Sequence, residues 1–69
     1  MIKTVPPPEQ IVQAHQYLYY VLGTPILSDY SYDMYCSKHG IYGGGGSDRA
    51  SDYPAAIRAI ALNMLKENK

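Results

Sequence analysis

Tyrosines and carboxylates carry most of the chemistry open to this chain. Five of its eight tyrosines fall within residues 15–33 (Tyr17, Tyr19, Tyr20, Tyr30 and Tyr32), together with Asp29 and Asp33. On a helix, Asp29, Tyr32 and Asp33 are i, i+3 and i+4 and share one face. Tyr17 and Tyr20 are i, i+3, whereas Tyr19 lies about 100° from Tyr20 around the axis. Three such rings do not fit one small core, so at least one is expected at the surface. An exposed ring stacks on a flat heterocycle. A carboxylate beside it accepts hydrogen bonds from ribose hydroxyls, or favours a cationic ring such as nicotinamidium. The competing reading is structural: Tyr17 and Tyr32 in the core, Asp29 as a capping acid and Asp33 solvated.

Other chemistries are poorly served. Cys36 is the only cysteine, so no disulfide forms within the chain, and neither histidine (His15, His39) has zinc-ligand spacing from it. Cys36 and His39 are i, i+3 and could meet as nucleophile and base, but no third group is placed to orient the histidine, and two core-facing residues are the simpler reading. The glycine run is not a phosphate-binding P-loop, because no Gly-Lys-Ser/Thr follows it and no strand precedes it. Six basic and six acidic side chains cancel, which argues against direct binding of nucleic acid. No apolar run approaches the roughly 20 residues of a membrane span. The first residues lack the pattern of a secretory signal. Together with the single thiol, this suits a cytoplasmic protein.

These side chains need elements to position them. At 69 residues the chain is expected to form one domain, burying only about 60% of its unfolded surface. Residues 1–7 read as an extended lead, with three successive prolines favouring polyproline II. A first helix is expected over 8–22, opened by Pro8 and Glu9 and carrying Ile11, Ala14, Leu18, Val21 and Leu22 as its apolar stripe. Gly23 and Pro25 stop it. A second helix is expected over 28–39, capped by Ser28, with Tyr32, Tyr35, Cys36 and His39 facing inward and Gly40 ending it. The short link makes the two helices antiparallel neighbours. Residues 40–50 form a glycine-rich loop. Its composition reads as a flexible linker, or as a nest of N–H groups able to hold an anion, and Gly-Gly-Gly-Gly-Ser also has the form of an engineered linker. A third helix is expected over 52–67, capped by Ser51 or Asp52, with Pro54 in its first turn and Ile57, Ile60, Ala61, Met64 and Leu65 as its stripe. No segment alternates like a strand. The expected fold is a small all-α domain of three helices: an antiparallel hairpin and a C-terminal helix after the glycine-rich loop.

The spacing within residues 15–33 resembles the N-terminal helical segment, domain Ia, of bacterial NAD-dependent DNA ligases. That family reads roughly Tyr-x-Tyr-His/Tyr, a few residues, then Pro-x-Ile-x-Asp-x-x-Tyr-Asp. The matching positions here are Tyr17, Tyr19, Tyr20, Pro25, Asp29, Tyr32 and Asp33. Leu27 takes the isoleucine position, and Tyr20 stands where many members carry histidine. The match covers about 20 to 25 residues, by the same count of positions that sets its specificity, and residues 40–69 depart from it.

The resemblance implies a segment that grips the nicotinamide mononucleotide (NMN) half of NAD. By position, Tyr19, Tyr20, Asp29, Tyr32 and Asp33 become the nucleotide contacts. The ligase nucleophile sits in a Lys-x-Asp-Gly motif that is absent here, Lys38-His39-Gly40 being the nearest string. The chain is therefore expected to be no enzyme by itself. It requires no cofactor, although NMN or NAD is an expected ligand. Two other readings stand beside this one. A small phage-type interaction protein would use the hairpin to dock on a bacterial partner, such as a host ligase, in the host cytoplasm. A pure scaffold would show the same spacing as capping and core grammar.

Overall fold

The computed structural model describes residues 6–43 and 46–67. The described residues hold three α-helices and no strand: α1 Pro8–Gln16, α2 Asp29–Lys38 and α3 Ala55–Glu67, with a single π-helical turn at Tyr17–Val21 and a 3₁₀ turn at Ala50–Asp52. Most of the lead, and Gly44 and Gly45 of the glycine run, lie outside the described residues. So does the anion-nest reading that rests on the run.

The helix ends follow local chemistry. Pro7 is extended (φ −60°, ψ 154°) and precedes a proline in the first turn of α1, where a missing N–H costs nothing. Ser28 caps α2: its Oγ accepts the Ser31 N–H at 3.1 Å. Gly40 (φ 66°) ends α2 in a Schellman arrangement, the Ile41 N–H donating to the Cys36 carbonyl at 2.9 Å and the Gly40 N–H to that of Ser37 at 3.2 Å.

The first helix departs from a regular α-helix where its tyrosines begin. The Leu22 N–H donates to the Tyr17 carbonyl at 3.2 Å, a bond spanning five residues instead of four. The following closure is widened too, the Thr24 N–H reaching the Leu18 carbonyl at 2.9 Å, with Gly23 at φ 66° completing the reversal. One added residue turns everything beyond it by roughly 100° relative to an uninterrupted helix. The apolar stripe differs from the expected one at its last residue, the C-cap of the turn. Ala14 and Leu18 are fully buried and Val21 packs against the core, but Leu22, one α-turn after Leu18, is exposed.

The core gathers Ala14, Tyr17 and Leu18 against Tyr53, Ile57 and Ala61, with Ile60, Met64 and Leu65 at its edge. The α3 stripe therefore faces inward as its spacing predicts. α1 makes its larger interface with α3 and touches α2 more sparingly. α2 fully buries only Cys36. Tyr32 and Tyr35 are half-buried, and His39 is exposed with its ring 4.5 Å from that of Tyr35. His39 thus packs on a tyrosine on the outside of the helix instead of facing inward.

α3 begins at Ala55, three residues later than its capping pattern suggests. The residue before a proline is disfavoured in helical conformation, and Tyr53 is accordingly extended (φ −111°, ψ 127°) ahead of Pro54. The Pro54 carbonyl accepts the Arg58 N–H at 3.1 Å and opens the helix. Asp52 instead accepts a hydrogen bond from the Ser47 hydroxyl. The extended backbone sends the Tyr53 ring into the core, edge-on to Tyr17 with centroids 5.3 Å apart, and its hydroxyl donates to the Ser47 carbonyl at 2.6 Å.

That bond ties the glycine run to the core, and the described ends of the run are packed, not slack. A Cβ on Gly43 would lie 2.6 Å from Cys36 Sγ and 3.1 Å from Tyr32 Cε2; one on Gly46 would lie 2.9 Å from Tyr53 Oη and 3.0 Å from both Gln16 Cβ and Tyr20 Cδ2. Glycine is required at both positions by space. Gly43→Ala is expected to lower unfolding free energy by about 1–3 kcal/mol in urea denaturation, the usual penalty of overpacking. A slack linker would instead gain slightly from losing a glycine.

Candidate nucleotide site

The site is built where the first helix ends, the chain reverses, and α2 starts. His15 and Gln16 on α1 precede Tyr19 and Tyr20 on the π turn by three to five positions, so all four project to one side of the first helix. The capped start of α2 places Asp29, Tyr32 and Asp33 opposite, i, i+3 and i+4 from one another. Pro25, Ile26 and Leu27 cross between them, and Gly43 approaches from the glycine run. These residues enclose a concavity of about 320 Å³, at the small end of the range for ligand sites.

Helical spacing separates the tyrosines by role. Tyr17 is core, 7% exposed, whereas Tyr19 and Tyr20 are 48% and 40% exposed. Their rings meet edge to face at 4.8 Å, a geometry that aromatic pairs prefer. Tyr20 also lies against the backbone at Gly46, so the pair has support on the loop side. Tyr32 is half-buried, and its hydroxyl accepts a hydrogen bond from Gln16 Nε2 at 3.0 Å, joining the two walls. A tyrosine hydroxyl is neutral at physiological pH, and burial pushes that of Tyr32 further above its ordinary pKa. Asp29 and Asp33 are exposed at the rim.

All five residues that the ligase resemblance implies as contacts, Tyr19, Tyr20, Asp29, Tyr32 and Asp33, line one concavity. His15, Gln16 and Gly43 line it as well but were not among the candidates. The helical offsets from Tyr19 and Tyr20 back to His15 and Gln16 were a usable signal. The approach of Gly43 was not readable, because it depends on how the loop folds over α2. Tyr30, the remaining tyrosine of the cluster, points away from the site: it is 74% exposed and lies beside Met34 and Lys38 on the far side of α2.

Among the described residues no group of three or more His, Cys, Asp or Glu is placed to hold a metal ion, and no helix is long and apolar enough to cross a membrane. Comparison of the chain with protein-family models, curated proteins and solved structures finds no match.

His15 lines the site on the α1 side, its ring 6.4 Å from that of Tyr35 on α2 and steeply inclined to it. Burial lowers its pKa from the ordinary 6.5, because a half-buried imidazole gives up hydration when it charges. The unfolded chain then binds a proton at a pH where the folded chain resists it, so the folded state loses ground as pH falls. Unfolding free energy is expected to decline as pH drops through 6.5 and to level off below the folded-state pKa. Denaturation curves between pH 8 and pH 5, taken at about unit steps across the histidine range, should show this slope in the native chain and a shallower one in His15→Gln.

Proposed function

We propose that the chain is a non-catalytic module that binds a nicotinamide nucleotide, NMN or the NMN half of NAD, weakly in the concavity between the first helix and the start of α2. What carries the reading is the convergence of Tyr19, Tyr20, Asp29, Tyr32 and Asp33 on that one concavity, since they are the positions that the ligase-like spacing assigns to nucleotide contact. Tyr19 and Tyr20 offer partly exposed ring surface for stacking. The exposed carboxylates are suited to ribose hydroxyls. The Tyr32 hydroxyl, held by Gln16, is a fixed polar group in the wall. The absence of a Lys-x-Asp-Gly motif leaves the module without an adenylation nucleophile, so it binds without turning the nucleotide over. The ligand is a metabolite of the cytoplasm, which is where this reading places the protein.

Affinity is expected in the millimolar to high micromolar range, about 4–6 kcal/mol of binding free energy, because a shallow site covers only one side of its ligand. Titration with NMN and NAD, followed by ¹H–¹⁵N NMR, should shift the amides of residues 15–20 and 29–33 and leave α3 unmoved. In Asp29→Ala/Asp33→Ala the shifts should disappear while the spectrum stays folded. Unchanged site amides at millimolar nucleotide would end the reading.

A second reading has its own observation. On the far side of α2, Tyr30 and Met34 are large and exposed, beside Tyr35 and Lys38. An aromatic and a methionine together suit a docking contact with a protein partner such as a bacterial ligase. Tyr30→Ser/Met34→Ser separates the two: it should abolish capture of such a ligase and leave any nucleotide shifts intact.

A further inference from the structure

The charge of the concavity narrows the ligand beyond a nicotinamide nucleotide in general. Two carboxylates line it, Asp29 and Asp33, and none of the described lysines or arginines does: Lys38, Arg49, Arg58 and Lys66 all lie elsewhere. The usual backbone site for a phosphate nearby is the N-terminus of α2. There the Ser31 N–H is already taken by Ser28 Oγ, and Asp29 in the first turn sets a negative charge where an anion would approach. Gln16 donates an amide N–H to Tyr32. A cation meets the reverse situation: the faces of Tyr19 and Tyr20 and two carboxylates all favour positive charge.

We infer that this concavity selects by charge, taking a flat N-ribosylpyridinium cation without a phosphate in preference to its phosphorylated form, and the oxidised ring in preference to the neutral dihydro ring. The inference rests on the nicotinamide reading of the site and goes further in naming the nucleoside, not the nucleotide, as the better ligand. A phosphomonoester adds −1.5 to −2 charges, by the usual figure of about two at neutral pH, and places them near two carboxylates. His15 does not offset this, since burial favours its neutral form at pH 7 and above.

The test is a titration of the full chain at pH 7.5 with three probes: nicotinamide riboside, NMN and 1,4-dihydronicotinamide riboside, each at low salt and again at about 0.5 M salt, where screening acts within a few ångströms. At low salt the riboside should bind about tenfold more tightly than NMN and about threefold more tightly than the dihydro form, as expected for exposed charges several ångströms apart. High salt should weaken the riboside and shrink its advantage over NMN. In Asp29→Asn/Asp33→Asn, which keeps the shape and removes the charge, the advantage should fall to within about twofold, the level set by stacking alone. NMN binding as tightly as the riboside, or a preference that salt leaves unchanged, overturns the selection by charge and leaves the nucleotide reading standing. Failure of all three probes to bind overturns both. The salt series uses the unaltered chain, so it decides the matter even where the double variant does not fold.

Discussion

Tyr17 and Leu18 are drawn under α3 together, and helical spacing then turns the residues beside them to the opposite side of the first helix. Tyr17 stacks edge-on to Tyr53, and Leu18 is sealed among the residues of the same cluster. The carbonyl of Tyr17 then bonds five residues on instead of four. Leu22, the C-cap of that turn, is exposed, and Tyr19 and Tyr20 lie side by side lining one concavity with residues of α2. A single-turn π-helix forfeits hydrogen-bond geometry and persists only where the surrounding packing holds it. Here the holding groups are a buried aromatic pair on one side and the Gly23 reversal on the other.

The glycine-rich segment completes this arrangement. A chain of this size has little apolar area to bury, and close approach of backbone to side chains is an economical use of what there is. Gly43 lets the loop contact Cys36 and Tyr32, and Gly46 lets it contact Tyr20 and Tyr53. The Tyr53 hydroxyl on the Ser47 carbonyl, with the Ser47 hydroxyl on Asp52, fixes where the loop hands over to α3. Core and concavity thus share supports: Tyr20 and Tyr32 are held by the loop on one side and look into the concavity on the other.

The elements governed by local chemistry were readable from residue types. Ser28 as a cap, the left-handed glycines at 23 and 40, and the α3 stripe all depend on neighbours within a few positions. So does the sharing of one face by Asp29, Tyr32 and Asp33. What depends on distant contacts was not readable. The π turn is not marked by its residue types, and the side chains of Tyr17 and Leu18 within it pack on α3, far along the chain. The entry of Tyr53 into the core follows from its place before Pro54, a signal that was present but was outweighed by Ser51 and Asp52 as apparent caps. The packed ends of the glycine run looked slack because composition records the freedom of glycine and not the space around it.

The central claim is that the exposed rings of Tyr19 and Tyr20 form the ligand face of the chain. Nuclear Overhauser effects between nicotinamide riboside and the tyrosine rings of the protein test it most directly, since the effect reports only protons within about 5 Å, the stacking range of aromatic pairs. The pyridinium protons should show contacts to Tyr19 and Tyr20, with none to the buried Tyr17 and Tyr53. Contacts to Tyr30 and Met34 on the far side of α2, or contacts to no tyrosine at all, would contradict the account.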